Sequence, residues 1–194
     1  MKDQPIKNYP TLGCCGLDCG LCPRYHTEGD SRCPGCCGAG FFEKHPSCGF
    51  ITCCAKQRGL EVCAQCNDFP CVRTEDSENV LDSFVTHRKT YPNLNLIKEH
   101  GIEPFLEQQK KRIELLHKMI QGFNDGRSKG FFYNSATLLP LADLETSLLN
   151  AEKQLEIEDI AADDMKSRAL LLRRFLNGFA ERDNIELKLR KKKA

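Results

Sequence analysis

Thirteen cysteines crowd into one short stretch of this chain, all between Cys14 and Cys71, and the rest of the 194 residues contain none. Cysteine at such density serves either a disulfide framework in an oxidising compartment or metal–thiolate sites in a reducing one. The first residues, Met1 to Pro10, lack the apolar core of a secretory signal, and no apolar run is long enough to span a membrane. These features favour a cytoplasmic protein whose thiols hold metal, and they argue against disulfides and membrane insertion.

The cysteine-rich stretch is also rich in chain breakers. Nine of the 14 glycines and six of the 9 prolines lie in the first seventy residues. Apolar periodicity is scarce there, apart from Ile51 to Leu60. A segment of this kind buries too little apolar surface to offset its chain entropy, and metal–thiolate bonds take the place of a core. The expected fold is an irregular, metal-stapled, zinc-knuckle-like module over residues 1–75, followed by an all-α part over 76–194. The whole is expected to be mainly α.

After Cys71 the pattern turns helical. Asn93 is expected to cap a short helix that ends at His100, with Gly101 as its left-handed stop. Pro104 suits the first turn of the next helix. Phe105, Leu106, Ile113, Leu116, Ile120 and Phe123 then recur at helical spacing as far as the turn Asn124-Asp125-Gly126. Phe131 to Leu139 is an apolar block, Leu141 to Asn150 reads as a helix, and a last helix is expected from about Asp159 to Ala180. A basic tail from about residue 186, Lys188-Leu189-Arg190-Lys191-Lys192-Lys193, reads as a frayed, solubilising end.

Zinc sites are commonly built from cysteine pairs two to four residues apart, because that spacing lets one tight turn aim both sulfurs at a single ion. This chain has Cys19-Gly-Leu-Cys22, Cys33-Pro-Gly-Cys36 and Cys63-Ala-Gln-Cys66, and a wider pair at Cys48 and Cys53. Cys15 and Cys71 flank the set. Four pairs in tetrahedral sites correspond to about two zinc ions.

Read together, Cys15-Gly-Leu-Asp-Cys19-Gly-Leu-Cys22-Pro23, Cys33-Pro-Gly-Cys36, Cys48 with Cys53, and Cys63-x2-Cys66-Asn-Asp-Phe-Pro-Cys71 resemble a bacterial and archaeal family known as domain of unknown function 3795. The likeness continues through Phe105-Leu-Glu-Gln-Gln-Lys and Phe123-Asn-Asp-Gly-Arg-Ser-Lys to Leu138-Leu-Pro-Leu-Ala-Asp-Leu. The resemblance implies that Cys15, Cys19, Cys22, Cys33, Cys36, Cys48, Cys53, Cys63, Cys66 and Cys71 are the metal-binding set, with Cys14, Cys37 and Cys54 as extras of this sequence. It implies no activity.

Rival readings use the same residues. An iron–sulfur electron carrier or redox component is the chief alternative: Cys15-x3-Cys19-x2-Cys22 matches radical-enzyme spacing, and Cys14-x4-Cys19-x2-Cys22 matches the start of a plant-type ferredoxin run. Cysteines this dense produce such matches by chance, and the helical second half offers no α/β barrel for radical chemistry. A thiol or metal redox switch is the second alternative, because Cys14, Cys37 and Cys54 each adjoin an expected ligand. Free cysteines are, however, usually small buried apolar residues. Nucleic acid is disfavoured as a partner. The net charge is +1, and thiolates around zinc would make the first half acidic. Phe41-Phe42 reads as an apolar plug rather than a base-stacking pair.

His45, three residues before Cys48, reads as an ordinary surface histidine rather than a ligand. The loop Asp125-Gly126-Arg127-Ser128-Lys129-Gly130 reads as a helix connection rather than an anion site. No P-loop, dinucleotide fingerprint, nucleophile elbow or zinc-protease motif is present. The expected role is therefore zinc binding, mainly structural, supporting a surface for a protein or small-ligand partner, with hydrolytic catalysis disfavoured because all-thiolate zinc leaves no position for water, and with alkyl transfer to a zinc-activated thiol left open.

Overall fold

The computed structural model describes residues 5–74 and 81–191. The protein is mainly helical, and among the described residues the only β-type pairing is an isolated bridge between Leu12 and Asp18. Among the described residues no helix is long and apolar enough to cross a membrane. Two compact units form, one of Met1–Gln109 with Leu189–Ala194, the other of Lys110–Lys188. The change of character near residue 75 is thus not where the units divide: two helical segments belong with the cysteines.

The first unit contains the short helix α1 (Phe41–Lys44), a π helix (Ile51–Gln57), α2 (Thr90–His100) and the first turns of α3 (Ile102–Phe123). Contrary to the expectation of a coreless stretch, it buries two apolar clusters. Leu12, Val62 and Ala64 pack with Leu94, Ile97, Ile102 and Phe105 of α2 and α3. Phe41, Ile51 and Ala55 pack around Cys14, Cys36, Cys37 and Cys54. Helices from later in the chain therefore supply the apolar surface that the irregular segment lacks.

Asn93 is not the cap of α2. The helix begins three residues earlier, at Thr90, whose hydroxyl donates to the His87 carbonyl at 2.8 Å. Pro92 is tolerated because it sits in the first turn, where its missing N–H has no helical partner to lose. Asn93 lies inside the helix, and its Nδ2 donates to the Gly16 carbonyl at 2.9 Å. Gly101 does stop α2, at φ +87.

The second unit holds the remainder of α3, then α4 (Lys129–Leu138), α5 (Leu141–Ile157) and α6 (Met165–Arg182). Helix α5 runs past the expected end at Asn150, and α6 starts at Met165 rather than near Asp159. The chain reverses between them at Asp159, which takes φ +50, and α6 waits for Asp164, whose carboxylate accepts the Ser167 N–H at 3.1 Å. Leu116, Met119, Phe132, Leu144, Leu172 and Leu176 are fully buried here. Arg112 is buried too, its Nη1 donating to the Ala136 and Leu139 carbonyls at 2.6 and 2.7 Å at the end of α4. A guanidinium thus satisfies carbonyls that the helix leaves unpaired.

The basic end is not frayed over its described part. Asp82 accepts the Arg190 N–H at 2.7 Å and returns its own N–H to the Arg190 carbonyl at 3.0 Å. Lys191 Nζ donates to the Ser83 carbonyl at 2.7 Å. Lys192 and Lys193 lie outside the described residues.

Candidate metal centre

The loop from Leu12 to Cys22 turns tightly on itself: the Gly13 N–H bonds the Leu17 carbonyl at 2.8 Å and the Gly20 N–H bonds the Thr11 carbonyl at 2.9 Å. Gly16 makes the turn possible. It takes φ +82, and a Cβ there would lie 2.4 Å from the Thr90 carbonyl oxygen. Gln109 of α3 locks the loop from the other side, its Nε2 donating to the Thr11 carbonyl at 3.0 Å and to buried Asp18 at 2.7 Å. Asp18 also accepts the Leu21 N–H at 3.2 Å. Polar side chains on two helices therefore hold Cys14, Cys15, Cys19 and Cys22 in place.

A second loop meets the first. The Cys36 N–H bonds the Pro10 carbonyl at 2.7 Å. Cys37 adopts φ +62, a left-handed state that costs a residue with a Cβ about 1–2 kcal/mol. That state allows two consecutive thiols to share one neighbourhood. Cys36 Sγ stands 3.9 Å from Cys14 Sγ and 3.9 Å from Cys37 Sγ. The three sulfurs all lie within 4.8 Å of one another, and the residues are 1%, 9% and 1% exposed. Four thiolates at ~2.3 Å from a tetrahedral ion stand ~3.8 Å apart, so this separation is that of sulfurs able to share one ion.

Cys54, on the π helix, extends the group. Its thiol donates to the Leu60 carbonyl at 3.4 Å. Hydrogen bonding among the thiols, that of Cys36 at 3.9 Å first and then Cys37 and Cys54, holds Cys14 far below the usual thiol range despite its burial. The same bonds raise the donors: Cys36 is pushed up to about 11, and Cys37 and Cys54 also rise. The hydrogen bond between Cys54 and Cys63 lowers Cys63 in turn. One buried cation faces this nest. Lys7 is 4% exposed, its Nζ donates to the Leu12 carbonyl, and its charge favours the thiolate of Cys14, Cys36 and Cys63.

The remaining cysteines fall into other groups. The pair Cys33 and Cys36 is split: Cys33 Sγ lies 3.4 Å from His45 Nε2, and its charge reaches Cys22, whose thiol is raised chiefly by burial. His45, expected as a surface residue, stacks on Phe41 at 4.9 Å; of the expected Phe41-Phe42 plug, Phe41 is buried and Phe42 is 43% exposed. Cys15 is pushed up to about 12 by burial, with Cys36, Cys48 and Cys14 adding repulsion. Burial likewise raises Cys19, which feels Cys36, Cys15 and Cys22. Cys48 is exposed. Cys53, Cys63, Cys66 and Cys71, with Cys54, line a pocket of about 210 Å3, where Cys66 accepts from Arg58 at 2.8 Å and from the Asp68 N–H at 3.4 Å.

Of the expected set, only Cys36 belongs to the tightest group. Its partners Cys14 and Cys37 stood outside that set. Their signal in the sequence is the doubled cysteines Cys14-Cys15 and Cys36-Cys37, which offer two directions at one chain position. The loop after α3 carries its own anion: Asp125 accepts the Arg127 and Ser128 N–H groups at 3.0 and 2.8 Å, as suits a helix connection.

No protein-family profile, characterised protein or solved structure matches this chain, so the resemblance read from the cysteine pattern rests on those residues alone.

Proposed function

We propose that this chain is a zinc–thiolate protein whose metal is mainly structural and supports a surface for a protein or small-ligand partner. The observation that carries this reading is the buried trio Cys14, Cys36 and Cys37, with sulfur separations suited to one tetrahedral ion. Cys54 is the fourth ligand in this reading, because it is a buried thiol in the same cluster as the trio. A set of four thiolates closes the coordination sphere, which favours a structural over a hydrolytic role. Three mutually adjacent sulfurs also suit a single ion better than a cubane, in which each cysteine ligates a different iron.

All thirteen cysteines are free thiols, which suits a reducing compartment, and we place the protein in the cytoplasm. The near-neutral chain gives no electrostatic pull toward nucleic acid. The test is metal content per chain by mass spectrometry on protein purified without oxygen. Zinc that disappears from the Cys14→Ser/Cys37→Ser variant supports the reading. Protein that is zinc-free and equally stable with and without a chelator overturns it.

A further inference from the structure

The pocket lined by Cys53, Cys54, Cys63, Cys66 and Cys71 differs from the trio in a way that bears on what it holds. Around a single ion, four sulfurs close to ~3.8 Å and leave no void. Here the cysteines stand around a space of about 210 Å3, the volume of roughly seven waters at ~30 Å3 each. Cys53, Cys66 and Cys71 do not gather within 4.8 Å of one another as the trio does. Sulfurs dispersed around a void suit a polynuclear group, whose cysteines each bind a separate metal atom.

Two further features match the charge and sulfur chemistry of such a group. Cys66 accepts a guanidinium N–H from Arg58 at 2.8 Å and the Asp68 backbone N–H at 3.4 Å. Donors of this kind stabilise a ligating thiolate and tune an iron–sulfur potential. Arg58, ion-paired with Asp68 at 2.7 Å, and Arg73 line the pocket, so Arg73 places positive charge beside what would be an anionic cluster. Phe50, Leu60 and Phe69 supply an apolar wall.

We propose that this pocket binds an iron–sulfur cluster of the cubane class through Cys53, Cys63, Cys66 and Cys71, beside and separate from the zinc trio. The proposal deepens the metal–thiolate reading, and it divides the cysteines between two kinds of centre. Cys54, which also lines the pocket and belongs to the buried cluster of the trio, marks the boundary between the two centres.

The test uses the full chain, purified without oxygen and incubated with ferric and ferrous iron, sulfide and excess thiol. The expected result is about four iron and about four acid-labile sulfide per chain with a broad visible absorption band. Cys66→Ala and Cys71→Ala should each lower that absorption several-fold while zinc stays bound. Cys14→Ser/Cys37→Ser should release zinc and keep the absorption, so the two centres fail or survive separately. Arg58→Ala, a change outside the ligands, should keep the cluster and lower its reduction potential. A colourless protein after reconstitution overturns the proposal. So does zinc filling the pocket, read as zinc loss in Cys66→Ala, or iron that depends on Cys14 and Cys37 instead.

Discussion

Gly16 is the position where a single methyl group most directly tests how the metal loop is held. At φ +82 a residue with a Cβ is strained by about 1–2 kcal/mol. In addition, the new Cβ would lie 2.4 Å from the Thr90 carbonyl oxygen and 2.8 Å from Leu94 Cγ. Backbone and side chain of α2 must both move, and overpacking of this kind costs about 1–3 kcal/mol more. Gly16→Ala should therefore destabilise the metal-loaded protein by about 2–5 kcal/mol. Gly59 is the control: it has φ +65 and open space where its Cβ would be, so Gly59→Ala carries only the about 1–2 kcal/mol of strain. Urea unfolding of both variants, followed by circular dichroism, measures the difference. Because Gly16 lies between Cys14 and Cys19, the extra about 1–3 kcal/mol should also weaken zinc binding, by roughly 5- to 150-fold relative to Gly59→Ala in a chelator competition. If Gly16→Ala unfolds and releases zinc together with Gly59→Ala, the close approach to α2 does not hold the loop and the reasoning fails.

Arg112→Met removes the donor that serves two buried carbonyls, Ala136 and Leu139, and should cost about 3 kcal/mol in the helical unit. Denaturation should shift while metal content stays constant; an unchanged midpoint would show that water replaces the guanidinium. Asp82→Asn weakens the acceptor for the Arg190 N–H, so backbone amides near residue 190 should exchange faster by hydrogen–deuterium mass spectrometry, and unchanged protection would count against docking through this carboxylate. Burial lowers the His87 pKa below its ordinary ~6.5. In that window the unfolded chain binds the proton and the folded chain does not, so stability contributed by neutral His87 is present above ~6.5 and is lost as the pH falls through the folded value. His87→Gln should flatten the fall in melting temperature on acidification below ~6.5; an unchanged slope assigns the loss elsewhere.

Much of the helical part was legible because apolar spacing and breaker residues act locally. The spacing from Phe105 to Phe123 and the turn at Asn124-Asp125-Gly126 correspond to the body and end of α3. Boundaries were misread where a side chain serves a distant group. Asn93 has the chemistry of a cap, yet its amide is used by Gly16, far away in sequence. Helix α6 starts late because the reversal at Asp159 and the cap at Asp164 outweigh propensity. The basic end looked solvent-borne because Asp82, which holds it, is remote in the chain.

For the cysteines the division is sharper. Sequence alone identified the thiol-rich segment and the short spacings suited to metal, since composition and local turns decide those. It could not tell which sulfurs meet. Cys36 turns to Cys14 while Cys33 turns to His45, although spacing makes Cys33 and Cys36 a pair. Cys37 joins the buried trio through a left-handed backbone state, and the π helix buries Cys54 in the same cluster. A thiol's direction depends on the backbone state beneath it, and here that state is imposed by groups remote in the chain, such as Gln109 and Thr90 against the loop of Cys14. Composition therefore determined that this chain gathers thiols, and only the tertiary structure, by setting backbone direction through distant contacts, decided which of them share a centre.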